Sequence, residues 1–203
     1  SFNRLIVEGY LSPLVSFRRD VGIDLSSVKI GASGDYMEGA AAEAVDHEAI
    51  TRKAVQECVA YASQRWSWLL FASSVKHAEN ITRMLWQHGI SAAAIHSELP
   101  AGEREARIKA FKRGQLRCLV NMNVLTTGFD FPPIDFIGML RPTRSTGLWV
   151  QMLGRGTRPF DFTRYPTDTD EDRAVVSFFR FVKQNCLVLD FAGNARSLGP
   201  IND

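Results

Sequence analysis

The sequence predicts an α/β fold in which an open parallel sheet is flanked by helices on both faces, in a three-layer α/β/α arrangement. Two observations predict it. From Trp68 onward, short apolar runs of strand length alternate with longer amphipathic segments that have helical periodicity. The chain has 203 residues, of which 45% are hydrophobic, and this is enough to bury one large core.

Five short apolar runs have the length and the flanking turn residues of buried strands. They are WLLFAS (68–73), SAAAIH (91–96), RCLVNM (117–122), FIGML (136–140) and CLVLDF (186–191). Between them, the Ser73–Ser74 pair can cap a helix that Gly89 ends, and Pro100 can open a helix that Gly114 ends. A further helix begins near Gly147. Such alternation is typical of successive βαβ units, which build parallel sheets.

The first 45 residues and a segment near the end of the chain differ from this pattern. Residues 1–45 mix apolar and charged residues with glycine- and serine-rich turns, and they are predicted to be an arm leading from an upstream domain. The domain is predicted to span residues 46–203 and to open with a helix over 46–64, which has acids in its first turn. Residues 161–184 are predicted as a variable insertion, with an acidic loop followed by a strand or a hairpin arm.

The composition narrows the class of function. The net charge of +2 is too small to indicate a nucleic-acid partner, but four arginines and no acid lie between Arg141 and Arg158. The three cysteines are far apart in apolar segments, which predicts reduced core thiols in a cytoplasmic protein. Neither the cysteines nor the histidines have metal-ligand spacing, so no metal site is predicted. No apolar run approaches the roughly 20 residues that span a bilayer, so no membrane contact is expected.

Donor groups follow the predicted strands at their carboxyl ends, where open parallel sheets bind ligands. These donors are Ser73, Ser74, His96, Ser97, the segment NMNVLTTGFD (121–130) and the segment RPTRS (141–145). Hydroxyl, amide and guanidinium groups gathered at one rim suit an anion with several oxygens. A phosphate chain and a nucleic-acid backbone both meet that description.

Two segments could bind a nucleotide. In TTGFD, Gly128 would let the backbone approach a phosphate, and Asp130 would accept a hydrogen bond from a sugar hydroxyl. An ordinary turn, with Asp130 in an Asx motif, is the alternative. In QMLGRGTRPF (151–160), Arg155 and Arg158 have no carboxylate four residues before or after them. They form either a solvated face or a clamp that stabilises charge as a terminal phosphate is cleaved.

Three segments resemble, in order and spacing, the motifs of superfamily 2 helicases of the DEAD/DEAH type. LLFASS resembles motif IV, LTTGFD resembles motif V, and QMLGRGTR resembles the QxxGRxxR pattern of motif VI. The resemblance runs from Leu69 to Phe160 and identifies the chain as the second, C-terminal RecA-like domain of such a helicase. EGYLSPL (8–14) and VLDFAGNARSLGPI (188–201) are similar to the segments that flank this domain in bacterial members.

The resemblance implies roles for individual residues. Arg158 would be the arginine finger toward the γ-phosphate, Arg155 a second phosphate contact, and Gln151 a residue that organises the same site. Asp130 would lie near the ribose, and Gly128 would permit close approach. The residues implied along the nucleic-acid strand are Ser73, Ser74, Arg104, Asn123, Thr126 and Thr127.

One family element is missing from the sequence. No Gly-x-x-x-x-Gly-Lys-[Ser/Thr] loop occurs, and this is the loop that cradles the phosphates and helps to hold magnesium. ATP with Mg²⁺ would therefore be bound mainly by an upstream N-terminal RecA-like domain of the same protein, and this chain alone is predicted to hydrolyse no ATP. DEDR (170–173) follows motif VI and no buried strand, so it is predicted as a solvated acidic loop.

The leading prediction is the C-terminal motor domain of an ATP-dependent helicase or translocase. It would supply the arginine finger and part of the nucleic-acid track, with DNA favoured over RNA as the partner. The alternative is a stand-alone nucleic-acid-binding module of the same fold without ATPase activity, marked by salt-dependent strand binding. A sugar-nucleotide transferase ranks lower, because only Asp130 could serve as a sugar-binding acid near the strand ends.

Overall fold

The computed structural model describes residues 2–124 and 129–199. Within these residues, six parallel strands form one sheet in the order β1-β6-β5-β2-β4-β3. The strands are β1 (Leu14–Arg18), β2 (Trp68–Phe71), β3 (Ala92–His96), β4 (Cys118–Met122), β5 (Phe136–Met139) and β6 (Cys186–Asp190). The structure confirms all five predicted strands, with small differences at their ends.

The central strands are buried because they carry apolar side chains on both faces of the sheet. In β2, Trp68 and Leu70 project to one face while Leu69 and Phe71 project to the other, and each of the four residues is at most 1% exposed. The two sets belong to two separate core clusters. The sheet therefore has two apolar faces, and each needs a cover of helices.

Helices cover both faces, which confirms the predicted three-layer arrangement. Those in the described residues are α1 (Phe2–Val7), α2 (Glu38–Val45), α3 (Glu48–Tyr61), α4 (Val75–Gln87), α5 (Ala101–Lys112), α6 (Thr146–Gly154), α7 (Asp170–Phe178) and α8 (Asn194–Leu198). On one face, Val55 of α3 and Leu85 of α4 join the core. On the other face, Phe111 of α5, Trp149 of α6 and Val175 of α7 do so.

Residues 1–45, predicted as a connecting arm, contribute a strand that the sequence analysis did not predict. β1 pairs in parallel with β6, from Leu14 opposite Cys186 to Arg18 opposite Asp190. It lies at the edge of the sheet, and only its first residue is buried. Because an edge strand needs little apolar surface, LVSFR lacks the continuous apolar run that marks the central strands.

The acidic loop predicted at residues 170–173 is wrong, and the strand or hairpin arm predicted after it begins as a helix instead. Both segments contribute to α7. The Thr169 side chain accepts a hydrogen bond from the Asp172 backbone N–H, and the Asp172 carboxylate accepts one from the Thr169 N–H, which makes a capping box. The acids of the first turn therefore start a helix, where negative charge is favourable. An antiparallel bridge from Asp161 to Val182 closes this segment.

Two smaller observations complete the fold. Cys58, Cys118 and Cys186 are free and buried, as predicted, and burial raises the pKa of each thiol. None of the helices within residues 2–124 and 129–199 combines the length and the apolar composition of a membrane span.

Candidate functional site

Arg158 and Asp130 lie 28 residues apart in the sequence and form a bidentate ion pair. Arg158 Nε donates to Asp130 Oδ1 at 3.0 Å, and Nη2 donates to Oδ2 at 2.6 Å. The two side chains are 54% and 51% exposed. Hydrogen bonding to the carboxylate raises the pKa of Arg158. The pair therefore presents a charged guanidinium at the surface, where an incoming anion can reach it.

Arg155 lies beside this pair and is held by the backbone. It follows the last residue of α6, and its Nη1 donates to the carbonyl oxygen of Phe129, the residue before Asp130. Arg155 is half-buried, and burial lowers its pKa. Gln151 lies one turn earlier on α6 and is exposed. The fold thus brings together Asp130, Arg155 and Arg158, which the sequence analysis assigned to one nucleotide site.

The arginine loop, residues 154–158, packs closely on the sheet. A Cβ placed on Gly156 would lie 2.6 Å from Cys186 Sγ and 2.9 Å from Ile137 Cδ1. These neighbours lie at the beginnings of β6 and β5, so the loop does not sit at the carboxyl rim of the sheet. The structure therefore separates the arginine loop from the rim donors Ser74 and Asn123. There are therefore two candidate sites: one at the arginine loop and one at the carboxyl rim.

The two glycines of the GRG segment are expected to tolerate alanine differently. Gly156→Ala should lower the free energy of unfolding by about 1–3 kcal/mol, because the added methyl group overlaps buried side chains. Gly154→Ala is the matched control, since nothing lies within 4 Å of its would-be Cβ at the end of α6. It should be neutral or stabilising by up to about 1 kcal/mol. Urea denaturation of both variants tests this, and equal destabilisation would contradict the close packing at Gly156.

At the carboxyl rim, the two serines after β2 are used by the fold itself. Ser74 caps α4, its Oγ accepting a hydrogen bond from the His77 N–H at 3.0 Å. Ser73 is buried, and its Oγ donates to the Leu140 carbonyl at 3.2 Å. Of the two serines that were predicted to contact nucleic acid, only Ser74 retains partial exposure.

Asn123 lies at the end of β4 and has a left-handed backbone, with φ of 60°. Asparagine tolerates this conformation better than most residues do. Its exposed side chain meets Arg141, whose Nη1 donates to Asn123 Oδ1. Arg141 follows β5, so the contact crosses the end of β2, which lies between β4 and β5. An amide and a guanidinium group therefore lie together at the rim, and both are groups that contact the phosphates of a nucleic-acid backbone.

Two residues that sequence reasoning missed fix the loop after Arg141. Asp35 accepts hydrogen bonds from Thr143 Oγ1 at 2.7 Å and from the Arg144 N–H at 2.6 Å. Asn194 accepts from the Thr143 N–H at 2.8 Å and donates to the Arg141 carbonyl at 2.9 Å. The only sequence signal was that Asn194 falls in the segment that resembles the domain's closing segment. Nothing in the sequence pattern linked Asp35 to this loop.

The remaining predicted site residues are divided between described and undescribed parts of the chain. Arg104 lies half-buried in the first turn of α5, which follows β3. Thr126, Thr127 and Gly128 lie outside the described residues. Within residues 2–124 and 129–199, no group of three or more His, Cys, Asp or Glu side chains is placed to hold a metal ion.

Comparison with known proteins identifies the family. The profile of the helicase conserved C-terminal domain matches residues 51–159, more than half of the chain. IRC3 of Saccharomyces cerevisiae, named as an ATP-dependent helicase, is 31% identical over 136 residues, and the match covers 67% of this chain but only 17% of IRC3. The chain thus spans a small part of that relative.

Two solved structures share the fold. A fragment named as an HsdR subunit of a type I restriction enzyme from Vibrio vulnificus superposes with a TM-score of 0.65 at 18% identity, covering 100% of this chain and 36% of that one. A variant of Saccharomyces cerevisiae Dbp5 bound to RNA and ADP BeF3 superposes with a TM-score of 0.55 at 17% identity, over 77% and 38% of the two chains. The family match shows that the chain belongs to the helicase conserved C-terminal domain family, and the superpositions show that it has the RecA-like fold of such domains.

Proposed function

We propose that this chain is the C-terminal motor domain of an ATP-dependent helicase or translocase, in which Arg158 acts as the arginine finger. The observation that carries the proposal is the exposed, bidentate pair of Arg158 with Asp130, beside Arg155, within the segment that matches the family profile. A carboxylate and a phosphate present similar paired oxygens to a guanidinium group. Asp130 therefore holds Arg158 in the geometry that a phosphate would use.

The mechanism is closure of two domains around ATP. ATP is bound mainly by the upstream RecA-like domain, and closure brings the arginine loop to the γ-phosphate. Arg158 then exchanges the Asp130 carboxylate for phosphate oxygens, and Asp130 becomes available to a ribose hydroxyl. Because Arg158 stays charged throughout, it stabilises the negative charge that develops during cleavage. Arg155, whose guanidinium is half-buried, supplies a second fixed positive charge. Gln151 is exposed on α6 one turn before Arg155, and it orients the same site.

Magnesium accompanies ATP in this proposal, and the upstream domain supplies its protein ligands. The side chains at the arginine loop fit that division of labour, because Arg155 and Arg158 are cations and the Asp130 carboxylate is paired with Arg158. Bound magnesium would neutralise phosphate charge. This chain's contribution is the placement of the two guanidinium groups.

The nucleic-acid strand is proposed to run along the carboxyl rim, past Ser74, Asn123 and Arg141. Asn123 follows β4 and Arg141 follows β5, and both carry hydrogen-bond donors. Arg104 on α5 extends the same rim toward β3. Thr126 and Thr127 belong to the proposed track through the family resemblance. DNA is the proposed partner, since the HsdR relative that covers the whole chain is a restriction-enzyme subunit. The Dbp5 structure contains RNA, so the experiment compares both.

ATP hydrolysis by this chain and by the longer protein that contains it tests the proposal. The isolated chain should hydrolyse no ATP above background, and the longer protein should hydrolyse ATP faster when DNA is added than when RNA is added. Hydrolysis by the isolated chain would contradict the assignment of the phosphate-binding loop to an upstream domain. A longer protein that binds DNA in a salt-dependent way but never hydrolyses ATP would support the stand-alone binding module instead.

A further inference from the structure

Lys183 places a buried ammonium group beneath the arginine loop. The residue is 8% exposed, and its Nζ donates to the carbonyl oxygens of Gly156 at 2.8 Å, Arg158 at 2.9 Å and Pro132 at 3.2 Å. A lysine ammonium has three protons, and here each has a carbonyl acceptor. Burying a cation is costly unless its donors are satisfied, so this arrangement is specific to the site.

The three carbonyls belong to the two segments that carry the Arg158–Asp130 pair. Pro132 lies two residues after Asp130, and Gly156 and Arg158 belong to the arginine loop. One ammonium group therefore ties the backbone beneath both members of the pair. Burial lowers the pKa of Lys183, while the negative charge of nearby Asp135 raises it.

Two other backbone carbonyls of the arginine loop also accept hydrogen bonds. The Gly154 carbonyl accepts from Thr157 Oγ1 at 2.9 Å, and the Thr157 carbonyl accepts from the Ser12 N–H at 2.6 Å. With Lys183 on the Gly156 and Arg158 carbonyls, four of the five loop carbonyls are held. A loop fixed through its backbone presents its side chains in a defined direction. Such preorganisation is what a phosphate-contacting arginine needs.

We propose that Lys183 is a positioning residue that sets the reach of Arg158 toward the γ-phosphate, a role that rests on the function proposed above. This would give the variable insertion of residues 161–184 a task, since Lys183 enters the site from that segment. Its backbone N–H also donates to the Phe160 carbonyl at 2.8 Å, which joins the two ends of the insertion. Without the ammonium group, the three carbonyls lose their donor and the loop shifts.

A double-mutant cycle in the longer protein distinguishes positioning from general support of the fold. Lys183→Met keeps the length of the side chain and removes the donors. It should lower kcat for ATP by about 10- to 100-fold, because a misplacement of about 1 Å costs up to about 100-fold. The KM for ATP should change by less than about 3-fold, since ATP is bound mainly by the other domain.

The same substitution should have little effect once Arg158 is gone. In an Arg158→Ala background, Lys183→Met should lower the residual rate by less than about 3-fold, measured in single turnovers with excess enzyme. Arg180→Met is the matched control, an exposed cation of the same insertion, and it should leave kcat unchanged. Urea denaturation reports the folded fraction of each variant, and Lys183→Gln replaces Lys183→Met if the latter is unfolded at the assay temperature.

Each outcome decides one of the two proposals. If Arg158→Ala hydrolyses ATP normally, the proposed function fails whatever Lys183 does. If Arg158→Ala is inactive but a folded Lys183 variant keeps its kcat, the positioning role is overturned. An equal loss in both backgrounds would also overturn it, because a merely structural residue acts independently of Arg158. A loss of kcat that disappears in the Arg158→Ala background supports the role.

Discussion

Arg158→Ala in the longer protein is expected to lower kcat for ATP hydrolysis by about 10³- to 10⁵-fold, the range for removal of an arginine finger. Stability should change by less than about 1 kcal/mol, because an ion pair that is half exposed contributes little to folding. Nucleic-acid binding without ATP should also be largely unchanged, since Asn123 and Arg141 lie on the separate rim of the sheet. Steady-state ATPase assays and urea denaturation of the same preparations measure these effects.

Two further variants sharpen this experiment. Arg158→Lys keeps the positive charge but loses the bidentate geometry, so its kcat should fall between those of the wild type and the alanine variant. Arg164→Ala is the matched control, because Arg164 is 87% exposed in a local pair with Asp161, outside the arginine loop. It should hydrolyse ATP at the wild-type rate. An Arg158→Ala variant that retains kcat within about 3-fold would rule out the finger assignment.

The second large effect is a loss of stability in mild acid, caused by His77. Its ring is buried between β2 and α3, with Nδ1 accepting from the Ser73 N–H at 3.3 Å and Nε2 lying 3.4 Å from Thr51 Oγ1. Burial lowers the pKa of His77 from 6.5 to about 4, although Asp46 acts in the opposite direction. Between these pH values the unfolded chain binds a proton that the folded chain does not, so stability falls as pH falls.

The size of this effect follows from the shift. The contribution of neutral His77 is fully present above the unfolded pKa, and it is lost as pH falls toward the folded value, in total about 3 kcal/mol and about 2 kcal/mol of it by pH 5. His77→Asn keeps a hydrogen-bond acceptor for Ser73 and removes the titration. Urea denaturation at pH 7.5 and pH 5 should therefore show a smaller loss in this variant than in the wild type.

The wild type, measured at the same two pH values, provides the comparison for the acid effect. If His77→Asn and the wild type lose equal stability over this range, the buried neutral state of His77 is refuted.

The positions of the central strands along the chain, and the fact that they are buried on both faces, follow from local sequence patterns. β2, β4 and β6 are short continuous apolar runs, and such runs predict strands covered on both faces. β1 escaped prediction because its side chains are mostly exposed at the edge of the sheet. α7 escaped because its acids look like a solvated loop until the Thr169 capping box is considered. In both cases tertiary position decides what local composition leaves open.

The site shows the same division between local and long-range information. Motif spacing indicated that Asp130, Arg155 and Arg158 belong together, and the structure brings them together. Motif spacing could not indicate that Asp130 is the ion-pair partner of Arg158 across 28 residues. Nor could it indicate that Asp35 docks on Thr143 across 108 residues, or that Lys183 reaches Pro132 across 51. Single polar residues carry no periodicity, so their partners emerge only when the sheet order is known.

The position of Arg158 in a closed complex decides whether this residue is an arginine finger. The measurement is a structure of the longer protein with DNA, magnesium and a nucleotide analogue that mimics the transferring phosphate. We expect that Arg158 leaves Asp130 and donates to the γ-phosphate mimic at about 2.7–3.1 Å. A closed complex in which Arg158 remains paired with Asp130, and another group contacts the mimic, would contradict it.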